Sequence, residues 1–246
     1  MATESRWNQA QSYEKSFWES ASKKIGKGDS GQLSWYKWRA DNLLKLIAKA
    51  IPENTPSFKT AKVLEIGSGP VGITAFFGAA EKYAIDPLCD FYASKPELVK
   101  LRGKDVVYKN EKGENLPFEN AYFDLIIIEN VIDHVQNADG VMKEMSRLLK
   151  PNSILYLTVN LHPLWGATLH EIVSRLRIDK GHPHTFTIPK IRRFLSHYGF
   201  KITYEEWENY KDCRANDLKS DSRKGKLKGI SGLSEFLFTS ISTKSI

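Results

Sequence analysis

The chain has 246 residues, of which 41% are hydrophobic and 11% aromatic, so it can build a packed core and is neither disordered nor fibrous. Lysine and arginine outnumber the acidic residues by 36 to 29, giving a formal net charge of +7. The sequence has no apolar run long enough for a transmembrane helix, and we expect neither membrane insertion nor secretion. Two cysteines, Cys89 and Cys213, are too few for a disulfide framework. We therefore expect a cytoplasmic protein with one large α/β domain.

The first fifty residues predict helices with one interruption. Glycines that favour a break stand at three positions: Gly26, Gly28 and Gly31. Apolar residues then repeat at helical spacing as far as Pro52, where the helix should end. We expect residues 1–55 to form a helical N-terminal cap or lid, followed by a domain of residues 56–246.

Short apolar runs alternate with helical stretches after the cap. The runs that predict strands cover residues 62–66, 82–85, 106–108, 123–128 and 154–159. The fourth run is almost continuously apolar, which is typical of a strand buried on both faces. Alternation of strand and helix in this order predicts a parallel sheet with right-handed crossovers.

A basic segment separates the last two predicted strands, which cover residues 200–207 and 235–242 and are expected to pair antiparallel at the edge of the sheet. Between Lys211 and Lys228 the chain has seven basic and three acidic residues. Large apolar residues are scarce there, so the segment is predicted to be an exposed loop. A basic arm that binds nucleic acid is the alternative, although it lacks the interleaved aromatic residues of single-strand binders.

A glycine-rich turn follows the first predicted strand, in the sequence VLEIGSGPVG of residues 63–72. Gly67 and Gly69 allow positive φ and close approach of the backbone to a ligand. Pro70 suits the first position of a helix, whose N-terminal amides would face an anion. Asp86 ends the second strand, where a carboxylate can accept hydrogen bonds from both hydroxyls of a ribose. The turn and this acid together imply an adenosine-containing ligand.

The glycine spacing alone does not decide between cofactors, because Gly67, Gly69 and Gly72 match the dinucleotide pattern GxGxxG. Three features favour S-adenosylmethionine over NAD or FAD. Glu65 suits the cationic methionine ammonium but would face a pyrophosphate unfavourably. About sixty residues precede the turn, whereas many dinucleotide enzymes begin with it, and no second nucleotide-binding half is evident.

The order of the motifs resembles the class I S-adenosylmethionine-dependent methyltransferases, particularly the type 11 small-molecule group. The matching segments are residues 63–69, 83–86, 114–118, 123–126, 129–135 and 147–152. This resemblance implies an α/β fold with a Rossmann-like, seven-stranded, mostly parallel sheet, an antiparallel last strand, helices on both faces and a helical N-terminal cap. It implies S-adenosyl-L-methionine as the cofactor, bound by Glu65, Gly67, Ser68, Gly69, Asp86, Pro87, Gly113, Glu114 and Asn130.

The sequence also departs from the family's pattern, and two differences bear on its function. Lys112 stands where members often have an acid that accepts from the adenine amino group, so we expect backbone contacts around Gly113 and Glu114 instead. The Asn-Pro-Pro-aromatic motif of amino-methylating nucleic-acid enzymes is missing after the fourth strand. The implied function is O- or N-methylation of a small molecule by in-line transfer. An RNA or protein methyltransferase that uses residues 211–228, and a non-catalytic cofactor-binding module, remain as alternatives.

The sequence does not identify a catalytic group. Methyl transfer needs alignment and exclusion of water, and a base only when the acceptor loses a proton. His162 and His184 are candidate bases and candidate acceptor contacts, since they follow the fifth predicted strand, whereas His134 is expected to pack beside the fourth. The His-x-His pattern of His182 and His184 could suggest a metal, but no cysteine lies close by to complete a ligand set, so we expect no metal.

The N-terminal aromatic residues have two interpretations. Trp7, Tyr13 and Trp18 suit a lid that closes over the acceptor, excludes water and sets specificity. Trp35 and Trp38, close to the regular helix, are expected to pack against the sheet. An aromatic lid favours an apolar or ring-bearing acceptor.

Overall fold

The computed structural model describes residues 3–25, 27, 31–52, 58–175 and 182–245. Two helices come first, α1 (Glu4–Ile25) and α2 (Gly31–Ala50), as the sequence predicts. Helix α2 ends two residues before Pro52, whose ring cannot continue it. Gly26 and Gly28 of the predicted break lie outside the described residues. The division of the chain at residue 55 stays a prediction.

In the described residues, seven strands form one sheet. The strands are β1 (Lys62–Ile66), β2 (Glu81–Ile85), β3 (Val107–Lys109), β4 (Phe123–Glu129), β5 (Leu149–Leu161), β6 (Phe200–Trp207) and β7 (Phe236–Lys244). Their order is β3-β2-β1-β4-β5-β7-β6. Strands β1 to β5 pair in parallel, whereas β7 lies antiparallel between β5 and β6. The predicted fold class is therefore confirmed, including the antiparallel last strand.

Helices cover both faces of this sheet. The helices after α2 are α3 (Cys89–Ala93), α4 (Pro96–Val99), α5 (Ala138–Leu148), α6 (Leu164–Arg175), α7 (Ile188–His197), α8 (Tyr210–Lys219) and α9 (Arg223–Ser231). One core cluster joins the sheet to α5 and α7 through residues such as Met145 and Leu195. The other joins the opposite face to α2 through Leu43 and Ile47. Successive residues of β1, Val63 and Leu64, enter different clusters because side chains alternate along a strand.

The helix expected to begin at Pro70 does not form. The chain instead makes a short 3₁₀ helix, Ile73–Phe76, after Gly72 at φ +77°. A left-handed residue at this position interrupts the helix that proline would have started. The amides of Ile73 and Thr74 donate to Glu65, so they are not directed at a ligand. The predicted anion site at a helix N-terminus is therefore wrong.

The basic segment 211–228 is folded, not a loop. Helices α8 and α9 cover most of it and pack against each other, with Gly229 close to Leu218. Side chains cap both helices: Asn209 accepts from the Lys211 amide and Ser222 accepts from the Gly225 amide. The sequence pattern does not predict these helices, because neither of them buries a large apolar residue.

Candidate functional site

A cavity of about 620 Å³ opens at the carboxyl ends of the parallel strands. The strand order reverses between β1 and β4, and open α/β sheets place ligands at such a switch point. Segments that follow β1, β2, β3 and β4 form one side of the cavity, and the two N-terminal helices form much of the other. Sequence positions far apart in the chain are brought together here by the topology of the sheet.

The glycine-rich turn forms the floor of the cavity with its backbone. Gly67 and Ser68 donate their amides to the Ile85 carbonyl, at 2.8 and 3.1 Å, which ties the turn to the end of β2. Gly67 and Gly69 have φ angles of +69° and +61°, as the sequence predicts. A Cβ at Gly67 would lie 2.2 Å from Val131 Cγ2, so glycine is required there by both conformation and space.

Asp86 is positioned at the edge of the same turn. Its Oδ2 accepts from the Gly69 amide at 3.0 Å and its Oδ1 from the Leu88 amide at 2.8 Å. Burial raises the pKa of the Asp86 carboxyl to about 6, although these two hydrogen bonds oppose the shift. The carboxylate lines the cavity, where it can accept from a hydroxyl-bearing ligand.

Glu65 is placed differently from the sequence prediction. Its carboxylate is buried and accepts from the Ile73 amide, the Thr74 amide and the Thr74 hydroxyl at 3.0, 3.0 and 2.8 Å. It is not among the described residues that line the cavity. Burial raises the pKa of Glu65 above its ordinary value, against these hydrogen bonds. The predicted contact of Glu65 with a ligand ammonium stays a prediction. Its hydrogen bonds to Ile73 and Thr74 show that it holds the 3₁₀ helix in place.

The ends of β3 and β4 complete the strand side of the cavity. Glu114 lines the cavity and accepts from the Asn137 amide at 3.0 Å, at the start of α5. Gly113 packs against Ile66, and a Cβ added to Gly113 would lie 2.9 Å from Ile66 Cγ2. Asn130 has φ +53° and is held by its amide, which donates to the Thr158 carbonyl at 3.0 Å. Of the predicted cofactor residues, all but Glu65 line the cavity: Gly67, Ser68, Gly69, Asp86, Pro87, Gly113, Glu114 and Asn130.

An ion pair that the sequence analysis missed joins the two sides of the cavity. The Arg39 guanidinium of α2 pairs with the Glu129 carboxylate at the end of β4, and both side chains are largely buried. Burial is the largest single effect and lowers the pKa of Arg39, but the hydrogen bond and charge of Glu129, together with the nearby Glu65 and Tyr36, outweigh it and raise that pKa overall. The guanidinium also lies over the Trp35 ring, 4.1 Å from its centroid. The available signal in the sequence was an arginine directly after Trp38 and four residues after Trp35 on one helix.

The aromatic residues of α1 that suit a lid line the cavity, and their contact with an acceptor stays a prediction. Trp7 receives the Lys112 ammonium over its ring at 3.9 Å, and Tyr13 is exposed. Trp18 is buried and donates its indole N–H to Glu14 at 2.8 Å.

The two tryptophans of α2 do not pack as expected. Trp35 is 48% exposed and lines the cavity, and Trp38 is 61% exposed. The expectation that they pack against the sheet was wrong, because the apolar face of α2 is built from smaller residues such as Leu43 and Ile47.

The histidines are arranged differently from the sequence hypothesis. His162 is buried, stacks on His170 at 4.3 Å between ring centroids, and has its pKa lowered to about 4 by burial. His184 contacts the Val135 carbonyl through Nε2 at 2.9 Å, and burial lowers its pKa. Neither is among the described cavity-lining residues, whereas His134 and His182 are. His134 therefore borders the cavity, and its expected packing role stays a prediction.

The charge of the cavity wall suits a cationic ligand. Among the described lining residues, five acidic side chains face three lysines and arginines: Glu14, Asp86, Glu111, Glu114 and Glu129 against Arg39, Lys112 and Lys224. A wall with excess negative charge favours a ligand that carries a sulfonium and an ammonium group, and it disfavours a pyrophosphate. With the open backbone at Gly69 and a carboxylate at Asp86, the residues present fit S-adenosylmethionine.

Fold and site together define an S-adenosylmethionine-dependent methyltransferase of class I. A family model described as a methyltransferase domain matches residues 36–205, and the chain belongs to that family.

Two curated relatives are similar in sequence. An uncharacterized protein of Rickettsia prowazekii is 27% identical over 191 residues, which is 73% of each chain. The ubiquinone/menaquinone biosynthesis C-methyltransferase UbiE of Bartonella quintana is 26% identical over 61% of this chain and 68% of its own.

Two solved structures share the fold. The YcgJ protein of Bacillus subtilis aligns with a TM-score of 0.58 at 15% identity, over 82% of this chain and 98% of its own. An N-methyltransferase of Haemonchus contortus, in complex with phosphomonomethylethanolamine and S-adenosylhomocysteine, aligns with a TM-score of 0.53 at 17% identity, over 82% of this chain and 53% of its own. Within the described part of this chain, none of the helices is long and apolar enough to cross a membrane.

Proposed function

We propose that this enzyme transfers the methyl group of S-adenosylmethionine to an oxygen or nitrogen of a small-molecule acceptor. The observation that carries the proposal is one cavity formed by both the strand ends and helix α1. Its volume of about 620 Å³ lies within the range of about 300–1,000 Å³ that small-molecule sites occupy.

Cofactor binding is assigned to the strand side of this cavity. The Asp86 carboxylate would accept from the ribose hydroxyls, and the backbone at Gly67 and Gly69 would allow the cofactor to approach closely. The segment around Gly113 and Glu114 would border the adenine. When bound, the cofactor supplies an activated methyl group on its sulfonium.

Acceptor binding is assigned to the helical side. Trp7 and Trp35 give apolar ring surfaces, and Lys112 and Arg39 lie against those rings. This combination favours an acceptor with a ring or apolar part next to a polar group. The aromatic side chains exclude water, and alignment in a dry site is the main requirement of an in-line displacement. The relative named as a C-methyltransferase makes carbon the alternative methylated atom.

The decisive experiment combines binding and transfer. Calorimetry is expected to show binding of S-adenosylmethionine and S-adenosylhomocysteine but not of NADH. Incubation with methyl-labelled cofactor and a metabolite extract is expected to label the fraction below about 1 kDa, and mass spectrometry of the product then identifies the methylated atom. NADH preference would refute the cofactor assignment. Cofactor binding without labelling in any fraction would support a non-catalytic binding module instead.

A polymer acceptor is the second candidate, since Lys224 of the basic helix α9 lines the cavity. This placement brings the basic segment to the site. The same labelling experiment on RNA and protein fractions tests it, with Lys224→Glu as the variant. Label in RNA that falls steeply with salt and is lost in Lys224→Glu would favour the polymer. Label confined to the small-molecule fraction would exclude it.

A further inference from the structure

Three side chains of types that can bind a metal lie close together beside the cavity, outside the part assigned to the cofactor. They are Asp133, His134 and His182, and one ligand atom from each lies within 4.8 Å of the others. Asp133 and His134 belong to the turn after β4, whereas His182 comes from the segment before α7. Both histidines line the cavity.

Backbone hydrogen bonds hold these two segments against each other. The His184 amide donates to the Asp133 carbonyl at 3.2 Å, and the His184 ring contacts the Val135 carbonyl at 2.9 Å. On the other side, Arg6 of α1 donates to the His182 carbonyl at 3.3 Å. The rings of His134 and His182 are 4.5 Å apart between centroids. The three side chains are therefore brought together by bonds that do not use their own ligand atoms.

Asp133 supplies an independent observation. It is only 2% exposed, and among the described residues its Oδ1 has no hydrogen-bond partner. Its Oδ2 is 3.8 Å from His134 Nε2, which is too long for a hydrogen bond. A buried carboxylate oxygen without a partner is costly, and native structures normally satisfy it with a protein group, a water or a cation.

We propose that Asp133, His134 and His182 bind a divalent transition-metal cation of the Zn²⁺ or Fe²⁺ type. Two imidazole nitrogens and one carboxylate oxygen are a typical donor set for these ions, whereas Mg²⁺ and Ca²⁺ prefer oxygen ligands alone. With bonds of about 2.1 Å, neighbouring ligand atoms would be about 3.4 Å apart in tetrahedral geometry and about 3 Å apart in octahedral geometry. The ligand atoms lie within 4.8 Å of one another, so binding of the ion would require the side chains of the two partly exposed histidines to rotate towards it.

Three protein ligands leave coordination positions open, and His134 and His182 lie on the cavity wall. The metal would then bind an oxygen atom of the acceptor. The acceptor would therefore be a small molecule that carries a hydroxyl, carboxylate or carbonyl group. This acceptor role rests on the proposed methyl transfer. Binding of the cation does not rest on it and can be measured without cofactor or substrate.

The test titrates the full chain, stripped with a chelator and dialysed, with Co²⁺ and then Zn²⁺. Calorimetry and metal analysis after gel filtration are expected to give one ion per chain, with a visible Co²⁺ absorption band from nitrogen ligands. Asp133→Asn and His182→Ala are each expected to weaken metal binding by more than about 100-fold. Loss of a residue that only hydrogen-bonds to a ligand weakens metal affinity by about 10–100-fold, and loss of a direct ligand should exceed that range. His197→Ala, which changes an exposed histidine on α7, is the matched control and should bind as the wild type does.

Two results would overturn the proposal. The first is wild-type protein that retains no Co²⁺ or Zn²⁺ after gel filtration. The second is equal binding by the wild type, Asp133→Asn and His182→Ala, which would place the ion elsewhere. Circular dichroism verifies that both variants are folded; His182→Ala keeps the backbone carbonyl that Arg6 contacts and so retains that bond. Metal binding without methyl transfer would refute the proposed function and leave the metal site standing.

Discussion

Replacing Glu65 with glutamine separates a structural role of this residue from a role in cofactor binding. The carboxylate accepts three hydrogen bonds, from the Ile73 amide, the Thr74 amide and the Thr74 hydroxyl. Glutamine keeps the shape but offers one oxygen, so its NH₂ must face at least one of these donors. The 3₁₀ helix after the glycine-rich turn then loses part of its anchor.

The magnitude follows from these contacts. A hydrogen bond to a charged acceptor contributes about 1.5–3 kcal/mol, and a buried donor left without a partner costs about 1–3 kcal/mol. Burial raises the pKa of Glu65, so the neutral glutamine also relieves part of the cost of burying a charge. We therefore expect a loss of about 2 kcal/mol, which corresponds to roughly 4–8 °C in Tm for a domain of this size.

Urea unfolding followed by tryptophan fluorescence measures this loss. Glu119→Gln, at an exposed position, is the matched control and should change the free energy of unfolding by less than about 0.5 kcal/mol. Thr74→Val removes the hydroxyl donor alone and should cost about 1 kcal/mol. Affinity for S-adenosylhomocysteine should stay within about threefold of the wild type, since Glu65 does not line the cavity. Unchanged stability together with a tenfold loss of affinity would refute this reasoning and restore Glu65 as a ligand contact.

Two further substitutions test the cavity wall. Asp86→Asn should weaken S-adenosylmethionine binding by about 10–100-fold at pH 7.5, because a charged acceptor is lost. Since the pKa of Asp86 is raised to about 6, wild-type affinity should fall as the pH drops from 7 to 5, whereas Asp86→Asn should show a flat profile in calorimetry. Arg39→Met leaves the buried Glu129 unpaired and should lower the free energy of unfolding in urea by about 3–5 kcal/mol. The double variant Arg39→Met with Glu129→Gln should recover part of that loss. A double variant that recovers none of it would contradict the pairing.

The elements of the fold were largely predictable because their signals are local. The bounds of β1 and β6 agree with the sequence prediction, and the other strands are within a few residues, apart from the early start of β5. That start, at Leu149, precedes Pro151, and the register with β4 shifts there. An irregular strand of this kind has no periodic pattern. Two predictions were wrong for local reasons. At Pro70 the predicted helix does not form, because Gly72 has a positive φ. In segment 211–228 the helices are too weakly amphipathic to show a helical pattern in the sequence.

The candidate site was predictable only in part. Gly67, Gly69 and Asp86 follow predicted strands, and parallel strands bring their carboxyl ends to one edge. The histidines could not be assigned in this way, because His162 and His184 are close to the predicted sheet edge yet are not among the lining residues. The sequence around His182 does not indicate a metal site, but folding places Asp133, which is 49 residues earlier in the chain, beside it.

By itself, the sequence determined the class of the protein, the order of its strands along the chain and the backbone positions that border the cavity. These depend on periodicity, on glycine conformation and on which residue ends a strand, and all of them are encoded within a few neighbouring residues. The tertiary structure alone decided that Glu65 anchors a turn, that Arg39 pairs with Glu129, and that Asp133 meets His182. Partners distant in the chain depend on how helices and loops pack, and no short sequence window contains that information.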